Sequence, residues 1–281
     1  MRELQGHDEC CCLNTATLGH REPIGVVAQR AAEAGFGRIT PWRRDVDEDH
    51  PERAAEAIRA AGLKVGGYAR TAYFSADTPA QRREAVASNR RALEAAAVLG
   101  SPSLCAVVGG LAPSSRDATD SRKQILDGLA ELIPTIRATG VKILLEPLHP
   151  FYAADRSLLN TIAQAQGWCE QLDPQGEGLF GIAVDAYHVW WDPMLEASIA
   201  RAGTLVQALH VCDWLRETRD PLLDRGMMGD GVIELRRLRQ AVEATGYAGP
   251  VEVEIFSKLD WWTRDPDEVL QICRQRLNQR C

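Results

Sequence analysis

The chain has 281 residues, 45% of them hydrophobic and 25% charged, with a formal net charge of −7. That acidic balance repels phosphate backbones and argues against a nucleic-acid partner. The core is large enough to need neither disulfides nor a structural metal. No apolar run approaches the roughly 18 residues of a membrane helix, and the N-terminus lacks a signal-peptide core. The eight cysteines form no paired CxxC units, and several sit in apolar runs as small hydrophobes. A soluble cytoplasmic protein with no membrane partner is expected.

Short apolar runs alternate with longer amphipathic ones along the whole chain. Residues 10–15 read as a first strand, followed by a helix that begins near Pro23 and stops at Gly35. Residues 37–40 form a second strand ended by Pro41, and a helix over 51–61 is closed by Gly62. Residues 63–69 are a third strand. Thr78 then caps a long Ala-rich helix that ends at Gly100. A fourth strand over 103–108 leads to a helix over 115–138, in which Pro134 implies a kink or break.

Residues 141–146 form a fifth strand, and Ser157 is the expected cap of the helix over 157–172. A sixth strand over 179–185, a helix over 194–202 and a seventh strand over 205–212 follow. The irregular stretch 213–232 is longer than most connections and reads as a functional loop or lid. A helix over 234–244, an eighth strand over 251–256 and a last helix opened by Pro266 complete the chain. Eight strands alternating with helices imply parallel βαβ units and closure into one α/β domain, a (β/α)8 TIM barrel over residues 1–281. Neither GxGxxG after the first strand nor GxxxxGK[ST] anywhere supports a nucleotide fold.

In such barrels the active site lies at the C-terminal strand ends. Strand five ends in Glu146, strand six in Asp185 and strand seven near His210, while strand eight carries Glu252 and Glu254. Each follows an apolar run, so each carboxylate needs a cation or several donors. Two readings compete. Buried salt bridges to Arg156, Arg216 and Arg225 would satisfy them singly. The four ligand types on four successive strand ends instead favour one divalent ion (Mn²⁺, Mg²⁺ or Co²⁺) held by Glu146, Asp185, His210 and Glu254. Glu252 shares a strand face with Glu254 at greater depth and reads as a supporting acid.

The segments "ILLEPLHPFYAADRS", "GIAVDAYHVWWDP", "ALHVCDWL", "RGMMGDGVIEL" and "VEVEIFS", with "CLNTAT" and "ITPWR" upstream, resemble the xylose-isomerase-like barrel superfamily. Within it they are similar to sugar phosphate isomerase/epimerase proteins related to ketose 3-epimerases and inosose dehydratases. The resemblance implies the same four metal ligands and adds His188 and Arg216 as substrate contacts. It also marks a departure. Ketose 3-epimerases carry a second Glu six positions after the strand-five Glu, where this chain has Tyr152, which is expected here as a substrate contact.

His149 reads as a substrate contact or a loop cap, and Trp191, beside Trp190, as an apolar wall against a sugar or a subunit contact. Self-association into a homo-oligomer is compatible with the second of these. The expected function is a metal-dependent isomerase or epimerase acting on a small sugar-like hydroxy-ketone through an enediolate, with Glu146 and Glu254 as the acid/base pair. A metal-dependent lyase or dehydratase on an oxidised sugar, cyclitol or glycoside is the alternative, because the same enediolate can lose a β-leaving group. An endonuclease-type phosphodiesterase would need a His-rich multi-metal cluster, and the chain has six His. A non-catalytic barrel would have no use for an intact ligand set.

Overall fold

A computed structural model describes residues 1–281. Nine parallel strands make one sheet: β1 (Cys11–Asn14), β2 (Arg38–Thr40), β3 (Lys64–Val65), β4 (Tyr68–Ala69), β5 (Ser103–Ala106), β6 (Lys142–Leu145), β7 (Phe180–Asp185), β8 (Val206–Val211) and β9 (Val251–Val253). Their order is β3-β2-β1-β9-β8-β7-β6-β5-β4, so β1 and β9, the first and last strands of the chain, lie side by side. β3 and β4 are two halves of the expected third strand. The first half pairs with β2 and the second with β5.

The break falls at Gly66 and Gly67. A Cβ on Gly66 would lie 2.6 Å from Cys12 Sγ, so the backbone here passes too close to β1 for any side chain. Just beyond the break Trp42 bridges Ala69, and the Ala69 N–H donates to the Pro41 carbonyl at 3.1 Å. The ring thereby closes into an α/β barrel. All six residues of β7 are buried, as in a parallel sheet covered by helices.

The covering helices are α1 (Ile24–Glu33), α2 (Pro51–Ala60), α3 (Pro79–Leu99), α4 (Ala118–Ala130), α5 (Ile133–Thr139), α6 (Ile162–Leu172), α7 (Ala186–Val189), α8 (Leu195–Ala202), α9 (Leu235–Ala244) and α10 (Pro266–Arg280). Thr78 and Gln81 form a reciprocal capping box on α3. The helix expected over 115–138 is two helices. Pro134 sits in the first turn of α5, where its missing N–H costs nothing.

The helix expected from Ser157 begins instead at Ile162, with the Thr161 side chain accepting from the Gln164 N–H. Ser157 is held in an extended bridge to Gly109, and its hydroxyl donates to the Leu159 carbonyl. The short helix α7 was not expected. It starts directly at the end of β7, where the Asp185 carboxylate accepts the Tyr187 N–H at 2.8 Å.

The stretch 213–232, expected as a functional loop or lid, is packed against the barrel over its second half. Asp224, Met227 and Met228 are fully buried, and antiparallel bridges tie Asp213 to Gly226 and Asp224 to Ser257. Gly231 is there for contact rather than freedom, since its Cβ would lie 2.1 Å from the Trp214 carbonyl oxygen. All eight cysteines are free and six are buried, as small apolar side chains would be. No helix is long and apolar enough to cross a membrane.

Candidate functional site

The C-terminal strand ends open into a cleft of about 460 Å³, within the range of small-molecule sites. Its floor is acidic. Glu146 follows β6, Asp185 ends β7, His210 lies in β8 and Glu254 follows β9. One donor atom from each lies within 4.8 Å of the others, and all four residues are buried. Strand register explains the convergence, because Asp185 pairs with His210 and His210 with Glu252.

Glu252 stands behind the cluster. Its carboxylate accepts from Asn14 Nδ2 at 2.7 Å and from Thr40 Oγ1 at 2.6 Å, and it lies 3.8 Å from His210 Nε2. His210 Nδ1 meets Glu146 Oε1 at 3.0 Å. The ring is thus held between two carboxylates, the arrangement that fixes a metal-ligating imidazole. Asn14 also donates to Glu254 Oε1 at 3.0 Å, while its own Oδ1 accepts from Trp42 Nε1 at 2.8 Å. The amide orientation is therefore determined by its partners.

Arg225 supplies the only buried arginine on the cleft wall. Its Nη1 lies 3.2 Å from Asp185 Oδ2 and 3.3 Å from Glu254 Oε2, and its Nη2 lies 3.2 Å from His188 Nε2. Tyr187 and Phe256 flank the guanidinium, with ring centroids at 4.4 and 4.7 Å. His188 is buried, and burial pushes its imidazole down to about 3, so the ring is neutral. Its Nδ1 meets the His149 N–H at 3.3 Å while Nε2 meets Arg225. Nε2 also lies 3.6 Å from Asp185 Oδ2, so with Nδ1 accepting from His149 the ring N–H sits beside that carboxylate.

The remaining expected contacts divide. Tyr152 lines the cleft with its ring, but its hydroxyl is committed to the Pro221 carbonyl, which also accepts from Tyr187 at 2.7 Å. His149 stacks on Trp214 with ring centroids 4.8 Å apart, and its Nδ1 accepts from the Phe151 N–H. Trp191 donates from its indole to the His188 carbonyl. Neither His149 nor Trp191 reaches the cleft wall. Arg216 is exposed and lies outside it as well. The arginine that meets the site is Arg225, nine residues further along the same segment.

Asn14 and Thr40 are cleft positions that reading the strand ends passed over, and of the three arginines expected as salt-bridge partners only Arg225 pairs with the cluster, at Asp185 and Glu254. The one available signal was electrostatic. Four carboxylates on one floor, Glu146, Asp185, Glu252 and Glu254, require a cation beyond His210.

The electrostatics of the cluster suit a divalent cation. Burial pushes the Glu254 carboxyl up to about 8, with Arg225 opposing the shift. Burial alone would lower His210, but Glu252, Glu146 and Glu254 outweigh it and hold the imidazolium well above its ordinary value. Both groups therefore hold protons near neutral pH without a metal, and a metal must displace them. Uptake of one divalent ion near pH 7 is expected to release more than one proton. By about pH 9 the Glu254 carboxyl is already ionised, so the release should fall by about one. Calorimetric titration in buffers of different ionisation heat measures this directly. An equal release at both pH values would show that Glu254 is not protonated in the metal-free protein.

The chain matches the xylose isomerase-like TIM-barrel family over residues 28–274. Among solved structures, protein SMc04130 from Sinorhizobium meliloti 1021 is 42% identical, with a TM-score of 0.93, over 98% of this chain and 99% of that one. The IolI protein, solved with a bound zinc atom, shares the fold at a TM-score of 0.82 and 20% identity, covering 96% of each chain. Among curated proteins, the L-ribulose-5-phosphate 3-epimerase UlaE of Shigella flexneri serotype 5b (strain 8401) is 24% identical over 156 residues. That match spans 55% of this chain and 49% of the relative, about half the length of each. The barrel, the four donors at its mouth and the match over most of its length agree: the chain belongs to the xylose isomerase-like TIM-barrel family, whose relatives include sugar epimerases.

Proposed function

We propose that the chain is a divalent-metal-dependent isomerase or epimerase of a small sugar-like hydroxy-ketone. The supporting observation is the buried Glu146, Asp185, His210 and Glu254 cluster at the floor of an otherwise open cleft. These are the residues that would hold the ion, and hard oxygen donors with one imidazole suit Mn²⁺, Mg²⁺ or Co²⁺. When bound, the ion would supply polarisation of a carbonyl and acidity at the neighbouring C–H.

The chain's own groups would do the rest. Glu146 engages His210 through Oε1 alone, which leaves Oε2 free to take a proton from the carbon beside the carbonyl. Both oxygens of Glu254 are engaged, Oε1 with Asn14 and Oε2 with Arg225, so it is the less free of the two to collect the substrate proton, and it would return one taken up from solvent. The two carboxylates come from strands three apart in the ring, so they face the reacting carbon from different sides. Removal on one face and delivery on the other gives an epimer, and delivery to the neighbouring carbon gives an isomer. Arg225 and His188 would donate to substrate oxygens, and the Trp42, Phe256 and Tyr152 rings would cover the apolar face of a sugar.

One observation keeps elimination as a second reading. The position six residues after Glu146 holds Tyr152, whose hydroxyl is occupied by Pro221, so no further acid guards the enediolate there.

The test is solvent exchange. Protein loaded with Mn²⁺ and incubated with a panel of ketoses in D₂O should place deuterium on the carbon beside the carbonyl, and chelation should stop it. No exchange with any neutral, phosphorylated or oxidised ketose would overturn this reading. Release of a leaving group in step with exchange would establish elimination.

A further inference from the structure

The floor of the cleft is acidic, but its rim is not. Arg44, Arg70, Arg156 and Lys258 line the cleft, and every carboxylate on its wall belongs to the buried floor, as Glu146, Glu252 or Glu254. The chain as a whole carries a net charge of −7, so four rim cations with no rim acid run against its general balance. They come from four separate segments. Arg44 follows β2, Arg70 follows β4, Arg156 lies in the loop after β6 and Lys258 lies beyond β9.

These cations are also short of partners. Arg44, Arg70 and Lys258 make no ion pair, and Arg156 has only the exposed Asp155, at 4.0 Å. Arg43, the neighbour of Arg44, is clamped by Glu48, and Arg219 by Asp224. Arg70 and Arg156 are half-buried and held against aromatic rings, Arg70 over Tyr73 at 4.7 Å and Arg156 over Tyr152 at 5.7 Å. Ring contacts fix a guanidinium without using its hydrogen-bond donors. Between floor and rim stands a belt of rings, with Trp42 and Phe256 centroids 5.4 Å apart and Phe256 and Trp262 6.0 Å apart.

From this layering we infer that the substrate carries an anionic group, phosphate or carboxylate, at the end away from its carbonyl, and that the rim cations led by Arg70 and Arg156 bind it. The inference rests on the proposed function, which places the carbonyl at the floor. A sugar chain would then cross the aromatic belt and present its far end to the rim. A terminal anion there meets preformed guanidinium donors, and guanidinium pairs with phosphate and carboxylate in the same forked geometry.

The test compares matched ketoses on the Mn²⁺-loaded protein. The probes are D-fructose, D-fructose 6-phosphate and the corresponding hexuronate, followed both by calorimetric binding and by deuterium exchange. At low salt at least one anionic probe should bind about tenfold or more tightly than D-fructose, with the advantage shrinking as salt rises. The larger of the two advantages identifies the anion as phosphate or carboxylate. Arg70→Ala combined with Arg156→Ala should reduce the anionic-to-neutral ratio towards one, and Arg70→Lys with Arg156→Lys should restore part of it. Far-ultraviolet dichroism and melting would verify that both variants fold.

Parity of both anions with D-fructose would overturn the inference while leaving the proposed function intact, provided exchange is seen. An advantage that survives both alanines would overturn the role of the rim. An anionic advantage without exchange on any probe would uphold the rim and overturn the reaction instead. Absence of binding by every probe would overturn both.

Discussion

Replacing Glu146 with glutamine should leave the metal site occupied and abolish exchange of the substrate C–H with solvent. Glutamine keeps the shape and one carbonyl ligand but takes no proton at neutral pH, so it separates the ligand role from the base role. Glu146 is the side chain whose second oxygen is uncommitted, and it therefore carries the base assignment. The corresponding Glu254→Gln variant should behave differently. Glu146 can still remove the proton and return a deuteron to the same face, so label should appear in recovered substrate while product formation collapses. Both variants should lose turnover by at least about a hundredfold, the usual scale of general acid–base catalysis. Metal content is to be measured on the same samples. Full turnover in a metal-bound glutamine variant would reduce that carboxylate to a ligand. Exchange retained by Glu146→Gln and lost by Glu254→Gln would reverse the two roles.

The four donors of the cluster were legible because the parallel strands leading to them are buried on both faces and read as apolar runs. "KILL" before Glu146 and "FGIAV" before Asp185 leave little doubt where each strand ends, and the barrel brings those ends together. Asn14 and Thr40 were not legible in their role. A polar residue closing a short strand is common, and nothing local shows that these two reach Glu252 across 238 and 212 residues of sequence. The broken third strand was hidden for a similar reason, since Gly66 yields to a contact with β1 that only the closed ring creates. The start of α6 was misplaced because Ser157 and Thr161 are both good caps, and the choice is made by the bridge from Ser157 to Gly109. Arg225 lies in an irregular stretch with no periodicity. The family resemblance pointed to Arg216, but the bridges from Asp213 to Gly226 and from Asp224 to Ser257 fold the segment so that Arg225 is the one brought inward.

Arg225 is consequently where a single substitution should cost the metal-free protein most. Its guanidinium lies between Asp185 and Glu254 in a buried setting and is the only cation other than His210 close to the four carboxylates. Replacing it with methionine fills much of the volume between the Tyr187 and Phe256 rings but leaves the Asp185 carboxylate without its cation and the Glu254 carboxyl without a donor. Removing one member of a buried ion pair typically costs about 3–5 kcal/mol, because the remaining charge stays desolvated. Arg225→Met should therefore lower the melting temperature of the metal-free protein by several degrees or more. A divalent ion in the same cluster neutralises the same carboxylates, so Mn²⁺ should recover much of the loss. The rise in melting temperature on adding Mn²⁺ should thus be larger for the variant than for the parent. Turnover of the metal-loaded variant should still be depressed, since the donor facing His188 and the substrate oxygens is gone. Thermal unfolding of both proteins, with chelator and with Mn²⁺, decides the matter. Equal metal-induced shifts in the two proteins would mean that Arg225 and the ion do not share the charge of Asp185 and Glu254. A variant as stable as the parent in chelator would mean that the buried acids are satisfied by Asn14 and backbone donors without it.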